Sequence, residues 1–192
     1  MSLATSFMAP TNPHSLDAML AWLENRGIDD RCVLAAMTVV PREPFVAMQA
    51  HILDVARRLQ ALELVGDEHV LQIGMGTGYA AAVLSLLSAH VYATESVPEL
   101  SSGARERLAA YDFDGVSIAC REPEVGWPEH APYDAIFVAG SVDEVPQALV
   151  DQLAIGGRLV VSRRGRLVRV TKRSTTGVTV EELEAAPRGE GN

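Results

Sequence analysis

Apolar positions recur at three- and four-residue intervals through the first third of the chain, then collapse into short runs. Leu16, Met19, Leu20 and Leu23 share one helical face, and Gly27 supplies a stop. A second helix is predicted from about Asp30 to Val39, ending at Pro41. A third, from about Met48 to Leu64, puts Ile52, Val55, Ala56, Leu59 and Leu62 on one side. From His69 the period changes. HVLQI is an apolar run that ends in glycines and leads into the helical AAAVLSLLS. There follow VYAT, a polar helix from Pro98 to Ala110, VSIAC, a loop, AIFVA, a helix from Val145 to Leu153, and GRLVVS. Short strands alternating with helices of about 10–15 residues predict right-handed βαβ units and a parallel sheet covered on both faces. After Ser162, LVRVTKR and VTVEEL read as two strands around Thr176-Gly177, a hairpin that gives the sheet an antiparallel edge.

The length suits one domain. The pattern divides it into a tail (1–13), a helical segment (14–64), an α/β core (65–184) and a disordered tail (185–192). A formal net charge of -9 and a pI near 5.0 repel phosphate backbones and argue against a nucleic-acid partner. The late arginines Arg163, Arg164, Arg166 and Arg169 alternate with apolar residues and read as a solvated strand face. Cys32 and Cys120 sit in apolar surroundings far apart in sequence. With no Cys or His at ligand spacing, no metal site is expected, and both read as buried thiols in a reducing compartment. The N-terminus has neither the basic start nor the apolar stretch of a signal peptide. The apolar stretch Tyr79 to Ala93 is too short to span a membrane. The expectation is a cytoplasmic protein.

The candidate chemistry lies at the end of the first strand, where Gly74-Met75-Gly76-Thr77-Gly78 runs directly into a helix. In an open α/β sheet, ligands bind beyond the carboxyl ends of the strands at the topological switch point. Alternate glycines permit a tight turn and a close approach to the backbone. Glu95 ends the second strand, where a ribose-binding acid is expected. A phosphate-binding P-loop is excluded, because no Gly-Lys-Ser/Thr follows the first glycine. A dinucleotide site needs a small residue where bulky Tyr79 stands. The Gly-x-Gly-x-Gly spacing instead suits S-adenosylmethionine, which has no phosphate and carries a cationic sulfonium. A purely structural loop is the remaining alternative.

Longer stretches resemble one family. VPREPFV (Val40 to Val46), HVLQIGMGTGYAAAVLS, VYATESVPELSSGARERL, GWPEHAPYDAIFVAG and DQLAIGGRLVVS are together similar to segments of the protein-L-isoaspartate O-methyltransferases, over roughly Leu16 to Lys172. The resemblance implies a Rossmann-like class I S-adenosylmethionine-dependent methyltransferase fold, a mostly parallel sheet with helices on both faces and helices at the N-terminus. It also implies a function, methylation of the carboxylate of damaged aspartyl residues in proteins as a repair step. In that reading Gly74, Gly76, Thr77 and Gly78 wrap the cofactor, and Glu95 accepts hydrogen bonds from its ribose hydroxyls. Glu122 stands where the family has an aspartate that reaches the adenine amino group. Gln72 occupies a position where the family commonly has glutamate, so any role for that charge is lost.

One departure is larger. The family carries a longer segment between the positions of Val46 and Ala47, ending in a Gly-Gln-Thr-Ile-Ser-Gln-Pro-like loop whose serine is the residue most tied to catalysis. Aligned back from Leu62-Glu63-Leu64, Ala50 and His51 stand opposite the Ser-Gln pair. The catalytic residue is therefore unassigned. His51 and Ser141 are speculative acceptor contacts, and a surface helix position and a turn are their ordinary roles. Trp127-Pro128 reads as loop packing and Asp134 as a strand-end hydrogen-bonding residue. Two functions follow from the pattern: a methyltransferase acting on isoaspartyl or another carboxylate with a shortened acceptor site, or a cofactor-holding paralogue with a regulatory or binding role.

Overall fold

The computed structural model describes residues 15–45 and 50–183. The tails drawn from the sequence at 1–13 and 185–192 lie outside the described residues, as does the junction of Val46 and Ala47. Helix α1 (Leu16–Glu24) starts at Ser15, whose hydroxyl accepts from Ala18 N–H at 3.2 Å. Helix α2 (Arg31–Val39) starts at Asp30, whose carboxylate accepts from the N–H groups of Cys32 and Val33 at 2.9 and 3.1 Å. Both caps satisfy donors that the first helical turn leaves unpaired. Helix α3 (Ala50–Leu62) buries Ile52, Ala56, Leu59 and Leu62, four of the five predicted core residues, with Val55 half-buried beside them. Its Gln60 side chain bonds Asp29 N–H, Asp30 N–H and the Gly27 carbonyl, which fixes the turn between α1 and α2 against α3.

The alternating half begins with β1 (His69–Ile73), followed by α4 (Tyr79–Ser85), β2 (His90–Glu95), α5 (Pro98–Ala110), β3 (Val116–Cys120), a single 3-10 turn at Pro128–His130, and β4 (Tyr133–Val142). Helix α6 (Gln147–Asp151), β5 (Leu153–Arg163), β6 (Arg166–Lys172) and β7 (Val178–Glu182) complete it. The sheet order is β3-β2-β1-β4-β5-β6-β7, with the first five strands parallel and the last two antiparallel. Successive strands move outward from β1 to β3, and the chain then crosses back to β4. The β1–β4 boundary is therefore the switch point.

Period-two alternation sorts the central strands between two cores. Val70, Ala135 and Phe137 face the layer built from α1 to α5. Leu71, Ile73, Ile136 and Val138 face the layer with α6. Both faces of β4 are buried by apolar residues from Ala135 to Val138, so AIFVA carries no polar alternation.

Three details differ from the sequence reading. Both cysteines are exposed. Helical geometry turns Cys32 outward while its neighbours Val33, Leu34, Ala36 and Met37 form the buried face, and Cys120 ends an edge strand. Arg169 is no solvated side chain: it bridges Glu63 and Glu181 and donates to the Ala61 carbonyl, tying α3 to the sheet edge. The β6–β7 connection is longer than a two-residue hairpin turn, closed by Arg173 N–H to the Gly177 carbonyl at 2.8 Å and by Gly177 N–H to Ser174 Oγ at 2.9 Å.

Candidate active site

The glycine loop leaves β1 with Gly74, Gly76 and Gly78 all in the left-handed region, at φ of 76, 57 and 92°. Two of these positions differ in kind. A Cβ at Gly76 would meet nothing within 4 Å, whereas one at Gly78 would touch Ala104 and Leu108 of α5 at 3.4–3.5 Å, leaving no room for a larger side chain. Gly76 is thus left bare toward open space, and Gly78 lets α4 start close to α5.

Backbone bonds hold the loop on the adjacent strand. The N–H groups of Gly74 and Met75 both donate to the Thr94 carbonyl at 2.9 Å. Glu95, 7% exposed, accepts from Gly76 N–H at 2.8 Å through one oxygen and from Val97 N–H at 3.1 Å through the other. One carboxylate therefore ties the loop to the start of α5 and still has lone pairs to spare. Arg107 of α5 donates to the Thr77 carbonyl at 3.1 Å.

Above this loop, at the switch point, lies a cavity of about 330 Å³. Its floor is Gln72 and Phe137, paired residues of β1 and β4, with the loop from Gly74 to Thr77 on one side. Phe45 and Tyr79 form another wall, and α3 contributes Ile52, Asp54 and Val55. The carboxylate of Asp54 is gripped by Arg58 at 2.8 and 3.2 Å. Arg58, 3% exposed, also donates to the Val138 carbonyl at 2.6 Å, which roots the pair in the middle of β4. Burial pushes the Tyr79 phenol up to about 12, with the Arg42 charge pulling slightly the other way. Among the described residues, the Gln72 amide and the Tyr79 hydroxyl are buried with no hydrogen-bond partner.

The structure gathers some of the sequence-predicted residues and separates others. Gly74, Gly76 and Thr77 line the cavity, Gly78 packs behind it, and Glu95 braces the loop from below. Glu122 is exposed in the turn after β3, and Ser141 is exposed near the end of β4 opposite Ser162, so neither lines the cavity. Ala50 and His51 open α3, and their side chains lie outside the described residues. Asp54, Gln72 and Tyr79 were not legible as cavity residues. Their only signals are a polar residue inside the apolar run HVLQI, an Asp–Arg pair four apart on a helix, and a bulky ring after the last glycine.

A seven-stranded sheet of this order, with a glycine loop and a carboxylate at its switch point, defines a Rossmann-like class I S-adenosylmethionine-dependent methyltransferase fold. Solved structures share it. One protein-L-isoaspartate O-methyltransferase superposes with a TM-score of 0.74 at 25% identity, covering 92% of this chain and 66% of that one. A beta-aspartate methyltransferase chain from Plasmodium falciparum, in complex with S-adenosyl-L-homocysteine, superposes at 0.76 with 21% identity over 89% and 95%. The chain belongs to the protein-L-isoaspartate(D-aspartate) O-methyltransferase family, whose model matches residues 48–186. Protein-L-isoaspartate O-methyltransferase 2 of Pelobacter propionicus is 42% identical over 185 positions, covering 84% of this chain and 82% of the relative. Protein-L-isoaspartate O-methyltransferase 1 of Rhodopseudomonas palustris is 39% identical over 205 positions, covering 94% and 82%. Since 84% of 192 residues is about 161, about 24 of the 185 positions aligned with the Pelobacter protein face no residue here.

Proposed function

We propose that this chain methylates the carboxylate of damaged aspartyl residues in proteins, with S-adenosylmethionine as methyl donor. The observation that carries the reading is the cavity at the β1–β4 switch point, walled by a loop whose bare Gly76 leaves room for a ligand against the backbone. The site fits that cofactor. It presents glycine backbone and apolar walls, with the Glu95 carboxylate bonded to the loop at Gly76, and among the described residues its lining includes no lysine or arginine of the kind that grips a pyrophosphate.

In this reading Gly74, Gly76 and Thr77 wrap the amino-acid and ribose portions, Glu95 receives the ribose hydroxyls through its remaining lone pairs, and Glu122 reaches for the adenine amino group. When bound, the cofactor supplies an electrophilic methyl: the acceptor oxygen forms a bond to it as the carbon–sulfur bond breaks, leaving a methyl ester and S-adenosylhomocysteine. A carboxylate with a pKa near 4 is already ionised at neutral pH, so no side chain has to remove a proton. The protein's work is to align oxygen, carbon and sulfur, worth up to about 7–11 kcal/mol, and to exclude water from two opposite charges that neutralise each other. Phe45, Val55 and Phe137 supply apolar walls for that purpose, and Arg58 offsets the charge of Asp54 on the wall.

The named relatives favour turnover over a role limited to holding the cofactor. No helix of the described residues is long and apolar enough to cross a membrane. Two exposed free cysteines suit a reducing compartment, and we place the protein in the cytoplasm on that ground. The test is methyl transfer from labelled S-adenosylmethionine to an isoaspartyl peptide. Peptide-dependent methyl ester supports the reading, and cofactor binding without transfer to any peptide carboxylate overturns it.

A further inference from the structure

Asp54 is the acid among the described residues that line the cavity, and its side chain is 48% exposed, so the carboxylate is open to a ligand. The cation that holds it is not, because the Arg58 side chain is only 4% exposed. Arg58 grips both Asp54 oxygens, through Nε at 2.8 Å and Nη2 at 3.2 Å, and donates from Nη1 to the Val138 carbonyl at 2.6 Å. Val138 begins the stretch between Phe137 and Ser141 where the β4–β5 register shifts, and Ala139 of the same stretch lines the cavity. The guanidinium therefore ties Asp54 of α3 to the strand that bounds the cavity. A forked contact of this kind fixes orientation as well as charge. An ionised carboxylate has about four lone-pair sites, and Arg58 occupies two, so acceptor capacity remains for a ligand.

We infer that Asp54 is the specificity-determining residue of the acceptor side: its carboxylate accepts the N–H borne by the carbon that carries the methyl-accepting carboxylate, and Arg58 is the positioning residue that holds it there. This rests on the reading of the chain as a carboxyl methyltransferase. An acid standing alone on the wall would repel an anionic acceptor. With Arg58 against it and Arg57 near enough for its charge to act as well, the repulsion is offset and a hydrogen-bond acceptor is what remains. In an isoaspartyl residue the free carboxylate and the backbone N–H are attached to the same carbon. In an aspartyl residue the side-chain carboxylate stands one carbon further away, and a simple organic acid offers no N–H at all. A carboxylate fixed by two bonds to a buried guanidinium can read that spacing, whereas a mobile one cannot. The groups assigned to the cofactor come from β2, the glycine loop and the turn after β3, whereas Asp54 belongs to α3 and is anchored to β4.

The experiment compares the parent chain with R58M, R58M/D54N and R58M/D54L, using an isoaspartyl peptide and the same peptide methylated on the isoaspartyl nitrogen. It measures S-adenosylhomocysteine affinity by calorimetry, peptide affinity for the protein loaded with S-adenosylhomocysteine, and steady-state methyl transfer. All three variants lose the bond to Val138, so a purely structural effect of losing Arg58 would appear in each. R58M is expected to keep the cofactor affinity and raise peptide KM about tenfold, because the Asp54 charge then meets the acceptor without its partner. R58M/D54N removes that charge but keeps a carbonyl oxygen, and its KM is expected to return to within about threefold of the parent. N-methylation is expected to weaken peptide binding about tenfold for the parent and R58M/D54N, and no more than about twofold for R58M/D54L. An R58M/D54N variant no better than R58M, or an N-methyl penalty undiminished in R58M/D54L, overturns the inference. So does a fall in cofactor affinity with peptide KM unchanged, which would assign Asp54 to the cofactor. If the Arg58 variants do not fold, D54L alone decides by the same N-methyl comparison. A parent that holds the cofactor but neither binds nor methylates the peptide overturns the proposed function, and this inference with it. A parent that binds the peptide without turnover still tests the inference through the affinities.

Discussion

The carboxylate of Glu95 carries two demands at the scale of a single residue. It accepts the Gly76 and Val97 N–H groups and is also the group assigned to the ribose hydroxyls. Replacing it with alanine is therefore expected to do two things: lower the melting temperature, and weaken S-adenosylhomocysteine binding by roughly 1–3 kcal/mol. Thermal melts and calorimetric titration on the same preparation separate the two effects, and unchanged affinity in a folded variant would remove Glu95 from the ribose site. The glycines divide the same way. Gly76→Val is expected to retain most of its fold yet lose ligand binding, because its side chain projects into open space, with backbone strain of about 1–2 kcal/mol. Gly78→Val meets Ala104 and Leu108 and is expected to lower the melting temperature far more. The alternate glycines and Glu95 were legible in the sequence because backbone conformation restricts residue type there. Gln72 and Tyr79 were not, because an amide and a phenol suit many environments, and only the fold shows that no group among the described residues pairs with them.

Among the elements, β1 and β2 bring His69 and His90 side by side, and His130 arrives from the 3-10 turn to stack on Tyr92 at 4.4 Å. Burial, then the neighbouring His69 and His130, lower the pKa of His90. Its protonated form is disfavoured in the folded state, so the stability linked to it is whole above the unfolded value of about 6.5 and is lost as pH falls below that toward the depressed folded value. The parent is expected to lose more melting temperature between about pH 7 and pH 5 than H90Q does. Equal losses would mean the imidazole does not contribute. This cluster was invisible in the sequence, since the three histidines are separated by up to sixty-one positions and are joined only by the pairing of β1 with β2 and the packing of the 3-10 turn on Tyr92. The order of strands and helices was far easier to read, because a period of two against 3.6 is a local signal. The cysteines show the limit of that signal: apolar neighbours in sequence do not settle which way a side chain points.

At the scale of the whole molecule, the chain keeps the glycine loop at the end of β1 and is shorter than its relative elsewhere. About 24 aligned positions of the Pelobacter relative have no counterpart, and the sequence places its main departure between Val46 and Ala47. The resemblance could name the family from its motifs, but the acceptor side lay beyond it. The sequence reading sets Ala50 opposite its usual serine, and groups that line the cavity come from β1, α3 and α4. The central claim is that this chain still moves a methyl group to a protein carboxylate. Saturating S-adenosylhomocysteine should stabilise the fold by about 2.7 kcal/mol at a hundred times its Kd, but binding alone does not decide the matter. The deciding measurement is transfer of labelled methyl from S-adenosylmethionine to an isoaspartyl peptide, with the matching aspartyl peptide as control. Saturable, base-labile label is expected on the isoaspartyl peptide only, abolished by Gly76→Val. Label that appears equally on both peptides, or none on either while the cofactor binds, would contradict it.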